Sequence, residues 1–322
     1  MKEKLKGADL KKAFKKYAAL LVYAGLVLIF TVIKPQYFTL MNFKSILIQT
    51  AMLGIIANGM TLVMMTGGAD LSVGAIAGVC TLAGIWPVVF DKLPLGSGIL
   101  IALALGIAFG LLNGVCVARL GVAPFVATLG SMFLAQGLQY LFSDGGMSIS
   151  YGFPEAYKFL GSGSLGPIPM PIVIYALLFT ALLLLTEYAP MGRYLRGTGL
   201  NQFTSELSGI RIRFYTLLSY VLCGLFAAIL GLVLGASQSY VSPDHGNSFL
   251  MDSLMVVLLG KTLMNNKISI YATAYGALLL RSFETGLAMV GIPVTVLNVC
   301  KGSLLVAILL LTLISKRKRA RT

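Results

Sequence analysis

Charge is scarce in this 322-residue sequence. Asp, Glu, Lys and Arg together make up 11% of it, against about a quarter in soluble domains, which excludes a chain with mostly water-facing surface. Groups able to do chemistry are scarcer still. The one histidine, His245, has no HExxH around it and no GxSxG occurs, so neither a zinc-protease site nor a nucleophile elbow can be assembled. The four cysteines, Cys80, Cys116, Cys223 and Cys300, form no CxxC pair and fall in apolar runs. They read as small packing residues and say nothing of redox compartment. The phosphate-binding pattern GxxxxGK[ST] is missing as well, because Gly260, Lys261 and Thr262 supply only its end.

Apolar residues, by contrast, make up 57% of the chain, and mean hydropathy is +0.89. A bilayer core needs about 20 mostly apolar residues per helix. Runs of that kind occur at Tyr17 to Ile33, Ile46 to Met65, Leu71 to Phe90, Gly98 to Ala118 and Val122 to Phe142. They continue at Met170 to Thr186, Phe214 to Gly235, Phe249 to Gly260, Ile268 to Val290 and Ile292 to Ser315. The expectation is an all-α integral membrane protein of about ten spans, with a single membrane domain over 17–315, a basic segment 1–16 and a basic tail 316–322. The eighth run is short for a crossing. Lys11 to Ile33 has the basic and apolar parts of a secretory signal but no small-x-small cleavage site, so it reads as an uncleaved anchor.

The net charge of +14 invites a nucleic-acid reading, which its distribution opposes. With ten spans, Lys and Arg gather in the N-terminus, at Arg119, between Arg193 and Arg213, at Lys261 and Lys267, and in the tail. Only Lys34, Lys44, Lys92 and Lys158 fall in segments on the other side. That asymmetry places both termini in the cytoplasm and makes the basic ends topology anchors beside lipid. The outer segment Ser143 to Pro169 is rich in Gly, Ser and Pro, as a surface loop touched by a soluble partner would be; the inner one, Glu187 to Arg213, is basic. Five spans on each side of the midpoint allow an inverted repeat, although no residue-level self-similarity supports one. Gly106, Gly110 and Gly114, Gly74 with Gly78, and Gly231 with Gly235 stand at small-xxx-small spacing, which suits close helix packing.

Polar residues inside spans are the candidates for function. Arg281 and Glu284 lie on one helical face and Lys301 in the last span, either as a structural ion cluster or as part of a gate. Asp70 and Asp252 fall at span edges, leaving little support for ion-coupled transport. Asn58, Thr61, Asn113, Gln136 and Gln139 offer neutral hydrogen-bonding groups suited to an uncharged polyol, or to bonds between helices. Gln49 points away from Asn58 on an ideal helix. Between Met65 and Gly74, Gly67 and Gly68 break an apolar run before Asp70 and Ser72, which reads as a tight turn capped by Asp70.

That stretch, with Gly67, Gly68, Asp70, Ser72 and Gly74, resembles the GG-I-D-L-S-V-G signature of the ribose, xylose, arabinose and galactose permeases of bacterial ABC importers. Asn113 with Gly114, Pro124 to Met132, Glu206 to Ile210, and Val299 to Gly302 resemble further stretches of the same family in the same order. The resemblance implies a type II ABC-importer permease fold in the bacterial inner membrane, working as a dimer of permeases, identical or not. It implies a tandem-domain ATPase that holds ATP and Mg²⁺, an extracytoplasmic sugar-binding protein, and no cofactor, metal or catalysis on this chain. The coupling segment would be 197–210, with Gly199, Asn201, Phe203, Glu206, Leu207, Ser208 and Gly209. A monosaccharide path would include Asn58, Thr61, Asn113, Phe125, Gln136 and Gln139. Phe203 stands where the family usually has Glu, and Glu206 where a basic residue is common, which implies a co-adapted ATPase. The turn at Lys261 to Lys267 is shorter than the family's and carries Asn265 and Asn266. Another neutral solute, such as a nucleoside or a furanose signalling sugar, and a secondary sugar carrier are the alternatives.

Overall fold

The structure, a computed structural model, describes residues 19–264, 267–293, 295–304, 306 and 310. The expected basic segment 1–16, the tail 316–322 and the Asn265–Asn266 turn lie outside these. The described residues are almost entirely helical. In chain order they form α1 (Ala19–Ile33), a 3-10 turn (Pro35–Phe38), α2 (Leu40–Met65), α3 (Val73–Val89), α4 (Leu95–Ala118) and α5 (Pro124–Phe142). A short α6 (Glu155–Ser162) leads into a hairpin of β1 (Ser164–Leu165) and β2 (Ile168–Pro169). Then come α7 (Met170–Leu183), a π-helical turn (Leu184–Tyr188), α8 (Pro190–Leu200) and α9 (Gln202–Leu207). The chain closes with α10 (Ile212–Gln238), α11 (Ser248–Leu263), α12 (Ile270–Met289) and α13 (295–304).

Five stretches among the described residues are long and apolar enough to cross a bilayer: α2, α4, α5, Met170–Tyr188 and α10. A helix that is apolar on every face belongs inside a bundle, and α2, buried over 83% of its most apolar window, is the central post. It begins at Leu40, earlier than its hydropathy suggests, because the Thr39 side chain accepts the Asn42 amide and caps the first turn.

Glycines set the close crossing between α4 and α10. A Cβ on Gly106 would stand 2.5 Å from the Gly224 carbonyl oxygen, and one on Gly110 2.5 Å from that of Tyr220. Gly114 meets Leu217 in the same way. The expected small-xxx-small stripe therefore carries backbone-to-backbone packing, which lipid alone would not drive.

α10 also serves as a ruler. Gly59 of α2 lies against Cys223, Thr66 reaches Ser219, and further on Ala77 and Thr81 of α3 lie against Gly231 and Gly235. Thus α2 runs against α10 and α3 runs with it. The turn between them sits alongside Ser219 to Cys223, about 10–16 Å along α10 from its start at the helical rise. Asp70, expected at a span edge, is in fact held deep in the bundle, fully buried.

Candidate functional site

At the end of the bundle where α10 begins, the α2–α3 turn meets α8 and α9. Gly67 takes φ +89°, a left-handed value that glycine tolerates, and the Gly68 amide returns to the Val63 carbonyl at 3.1 Å. Thr66 donates to that same carbonyl at 2.8 Å, closing the end of α2. Asp70 then accepts the Ser72 amide at 2.9 Å, and the Ser72 hydroxyl as well. This is an Asx turn leading into α3. The Asn113 amide of α4 donates to the Ser72 hydroxyl at 2.9 Å, and the Tyr220 hydroxyl of α10 donates to Ala69 at 3.2 Å. Gly67, Gly68, Asp70, Ser72 and Asn113 are thereby one structural unit, while Gly74 packs on the Gly246 backbone.

α8 packs beneath this unit. It folds back on the end of α7 because Gly192 sits on the Thr186 backbone and Arg196 pairs with Glu187. Gly199 rests on the Met65 carbonyl, and a Cβ there would also stand 2.9 Å from the Gly67 amide nitrogen. Asn201 caps α9 by accepting the Thr204 amide at 3.0 Å, and Gly209 ends the segment at φ +77°. On the outer side of this platform Leu200, Phe203 and Leu207 are exposed at 86%, 73% and 75%. On its inner side Gln202 and Glu206, with Arg213, Thr66, Gly67 and Gly68, line a cavity of about 410 Å³.

The neutral polar residues separate. Thr61 shares a 2.6 Å bond with Thr273 of α12, and Asn58 lies near the Tyr175 hydroxyl of α7. Gln139 is a staple: its amide donates to Ala75 at 3.1 Å and its oxygen accepts the Asp244 amide at 2.7 Å. Asn58, Thr61, Asn113 and Gln139 are all buried within one chain. Of the expected path residues, Phe125, 62% exposed, and the half-buried Gln136 present surface outward from α5.

The ion cluster contains one member that the sequence reading placed elsewhere. Asp252 of α11, expected at a span edge, is buried and bridges Arg281 at 3.1 Å and Lys301 at 3.0 Å. Glu284 pairs with both cations from the other side. Two acids and two bases therefore cancel, and Arg281 also stands 5.5 Å from the Phe249 ring centre. The four charges tie α11, α12 and α13 together. A helix spacing of three exposes the Arg281–Glu284 pair to sequence reading, but no spacing rule links Asp252 to it across a turn.

Long apolar helices around a buried post, with a compact polar platform at one end, define an integral membrane protein, and the chain's relatives give the permease class. The sequence bears this out at residues 42–313, which match the family described as branched-chain amino acid transport system / permease component; the chain belongs to that family. It is 34% identical over 309 residues to the ribose import permease protein RbsC of Escherichia coli (strain K12), covering 95% of this chain and 94% of that one. The RbsC of Bacillus subtilis (strain 168) is 31% identical over 300 residues, 92% and 91% of the two chains. The galactofuranose transporter permease protein YtfT of Escherichia coli (strain K12) is 35% identical over 270 residues, 82% and 77%.

Proposed function

We propose that this chain is the membrane-spanning permease of an ATP-driven importer for a monosaccharide in a bacterial inner membrane. The relatives' names, for ribose and galactofuranose import, support the substrate class. The observation that carries the mechanism is the α8–α9 platform. Its apolar side chains Leu200, Phe203 and Leu207 face away from the bundle, and its backbone at Gly199 presses on the α2–α3 turn. An ATPase engaging the outward side chains would move a rigid unit that is wedged against the bundle's central post. ATP and Mg²⁺ belong to that partner.

In this reading the helices α1–α5, α7 and α10–α13 make ten crossings with both termini cytoplasmic, and the platform lies on the cytoplasmic side. The segment formed by α6 and the β1–β2 hairpin faces a sugar-binding protein. A second permease copy completes the path, which Phe125 and Gln136 of α5 border; chemistry on the sugar is not required. Phe203, apolar where the family usually places Glu, supports an ATPase with a matching apolar cleft.

Reconstitution with the cognate ATPase and candidate sugar-binding proteins is the test. ATP hydrolysis rises when ribose-loaded, or another monosaccharide-loaded, binding protein is added. Leu207→Asp on the exposed face of α9 reduces that stimulation about tenfold, the loss of one ordinary interface contact, without lowering the chain's own melting temperature. Uptake that survives ATP depletion and stops with a protonophore would establish a secondary carrier instead.

A further inference from the structure

Asp70 is fully buried, and none of the ion pairs among the described residues includes it. Its Oδ1 is doubly engaged, by the Ser72 amide and the Ser72 hydroxyl. Its Oδ2 has no hydrogen-bond partner, and neither has the buried Asn113 Oδ1. Both side chains belong to one cluster, since Asn113 and Cys223 neighbour the Asp70 carboxyl.

The groups around Asp70 come from α3 (Ser72), α4 (Asn113) and α10 (Tyr220 and Cys223), and none is a cation. The hydroxyl donors among them are already spent, and neither the second Asn113 N–H nor the Cys223 thiol makes a hydrogen bond to Asp70 Oδ2. The Ser72 hydroxyl goes to Asp70 Oδ1, the Asn113 amide to Ser72 Oγ, and the Tyr220 hydroxyl to Ala69. Turning the Asn113 amide over does not help, because its oxygen would then face Ser72 Oγ, whose one proton is committed. The start of α3 offers about half an elementary charge of compensation, which falls short of neutralising a carboxylate removed from water. The cluster therefore has two orphaned acceptors and lacks one donor and one positive charge. A single proton supplies both.

From this geometry we infer that Asp70 is a neutral carboxylic acid carrying its proton on Oδ2, the donor that closes the Asp70–Ser72–Asn113 network. The acid is a positioning residue: it holds the α2–α3 turn inside the bundle, directly above the Gly199 contact. The inference stands on burial and hydrogen-bond accounting and does not depend on which solute is imported.

Infrared spectroscopy of the whole protein in lipid nanodiscs tests it, comparing unlabelled protein with protein carrying carbon-13 in its aspartate carboxyls. Among the other described aspartates, Asp91, Asp144 and Asp244 are exposed and Asp252 is paired with Arg281 and Lys301. The expected result at pH 7 is a protonated-carboxyl C=O band that shifts with the label and disappears in Asp70→Asn, a neutral isostere that keeps the protein's melting temperature. Lack of any aspartate-sensitive band at pH 7 in the unmutated protein would overturn the inference, whether or not the variant folds. So would a band that survives in Asp70→Asn.

Discussion

Gly199 shows how much one missing methyl group can matter. Its backbone lies on the Met65 carbonyl with no room for a Cβ, and what it would strike is main chain, which cannot rotate aside. Gly199→Ala is therefore expected to lift α8 off the turn and cost about 1–3 kcal/mol, the usual penalty of overpacking. The check is paired: a lower melting temperature, and basal ATPase activity in the assembled transporter that no longer responds to substrate. Ser208→Ala in the same segment makes a control, because its hydroxyl only donates to Thr204 on the exposed surface. At this scale the sequence was readable for identity and silent on direction. Gly199 and Gly67 stood out as members of recognisable stretches, but nothing local said that they touch. Gln139 was equally opaque, since an amide in an apolar helix reads the same whether it lines a path or, as here, ties α5 to α3 and to the α10–α11 connection.

Among the elements, α11, α12 and α13 depend on the Asp252–Arg281–Glu284–Lys301 cluster. Breaking a buried pair leaves an uncompensated charge, which costs about 3–5 kcal/mol, whereas removing a matched pair can be nearly neutral. Lys301→Met is thus expected to lower the melting temperature sharply and loosen α13. Adding Glu284→Gln to it restores most of the loss, because Arg281 and Asp252 then still balance. A denaturation series in nanodiscs comparing single and double variants decides this; equal stability of Lys301→Met and the double variant would contradict it. Element positions followed hydropathy closely, because in a bilayer each span must satisfy its own backbone. Their ends did not, because they depend on single caps such as Thr39 or on burial, as at the α2–α3 turn. That turn has the composition of a surface loop and lies inside because Asn113 of α4 and Ser219 and Tyr220 of α10 bond to it.

For the molecule as a whole, the decisive surface is α5, buried over only 22% of its most apolar window. Val126, Phe133, Leu134 and Leu141 are exposed on it, and a Cβ at Gly130 or Gly137 would meet nothing within 4 Å. Lipid contact gives no reason for glycine in such a place, whereas close approach of another helix does. Seven residues apart, these two glycines lie along one side of α5, and the proposed second permease copy accounts for them. Gly137→Leu separates the two cases. Within one chain it clashes with nothing and replaces a poor helix former, so the isolated subunit should be as stable or gain up to about 1 kcal/mol. In a dimer packed through this face the added side chain forces the helices apart. The expected outcome is a loss of the dimer in native mass spectrometry from nanodiscs or detergent, with unchanged helicity and an unchanged or higher melting temperature of the monomer. A variant that stays dimeric and transports normally would assign this face to lipid, and the partner would then have to approach through another helix.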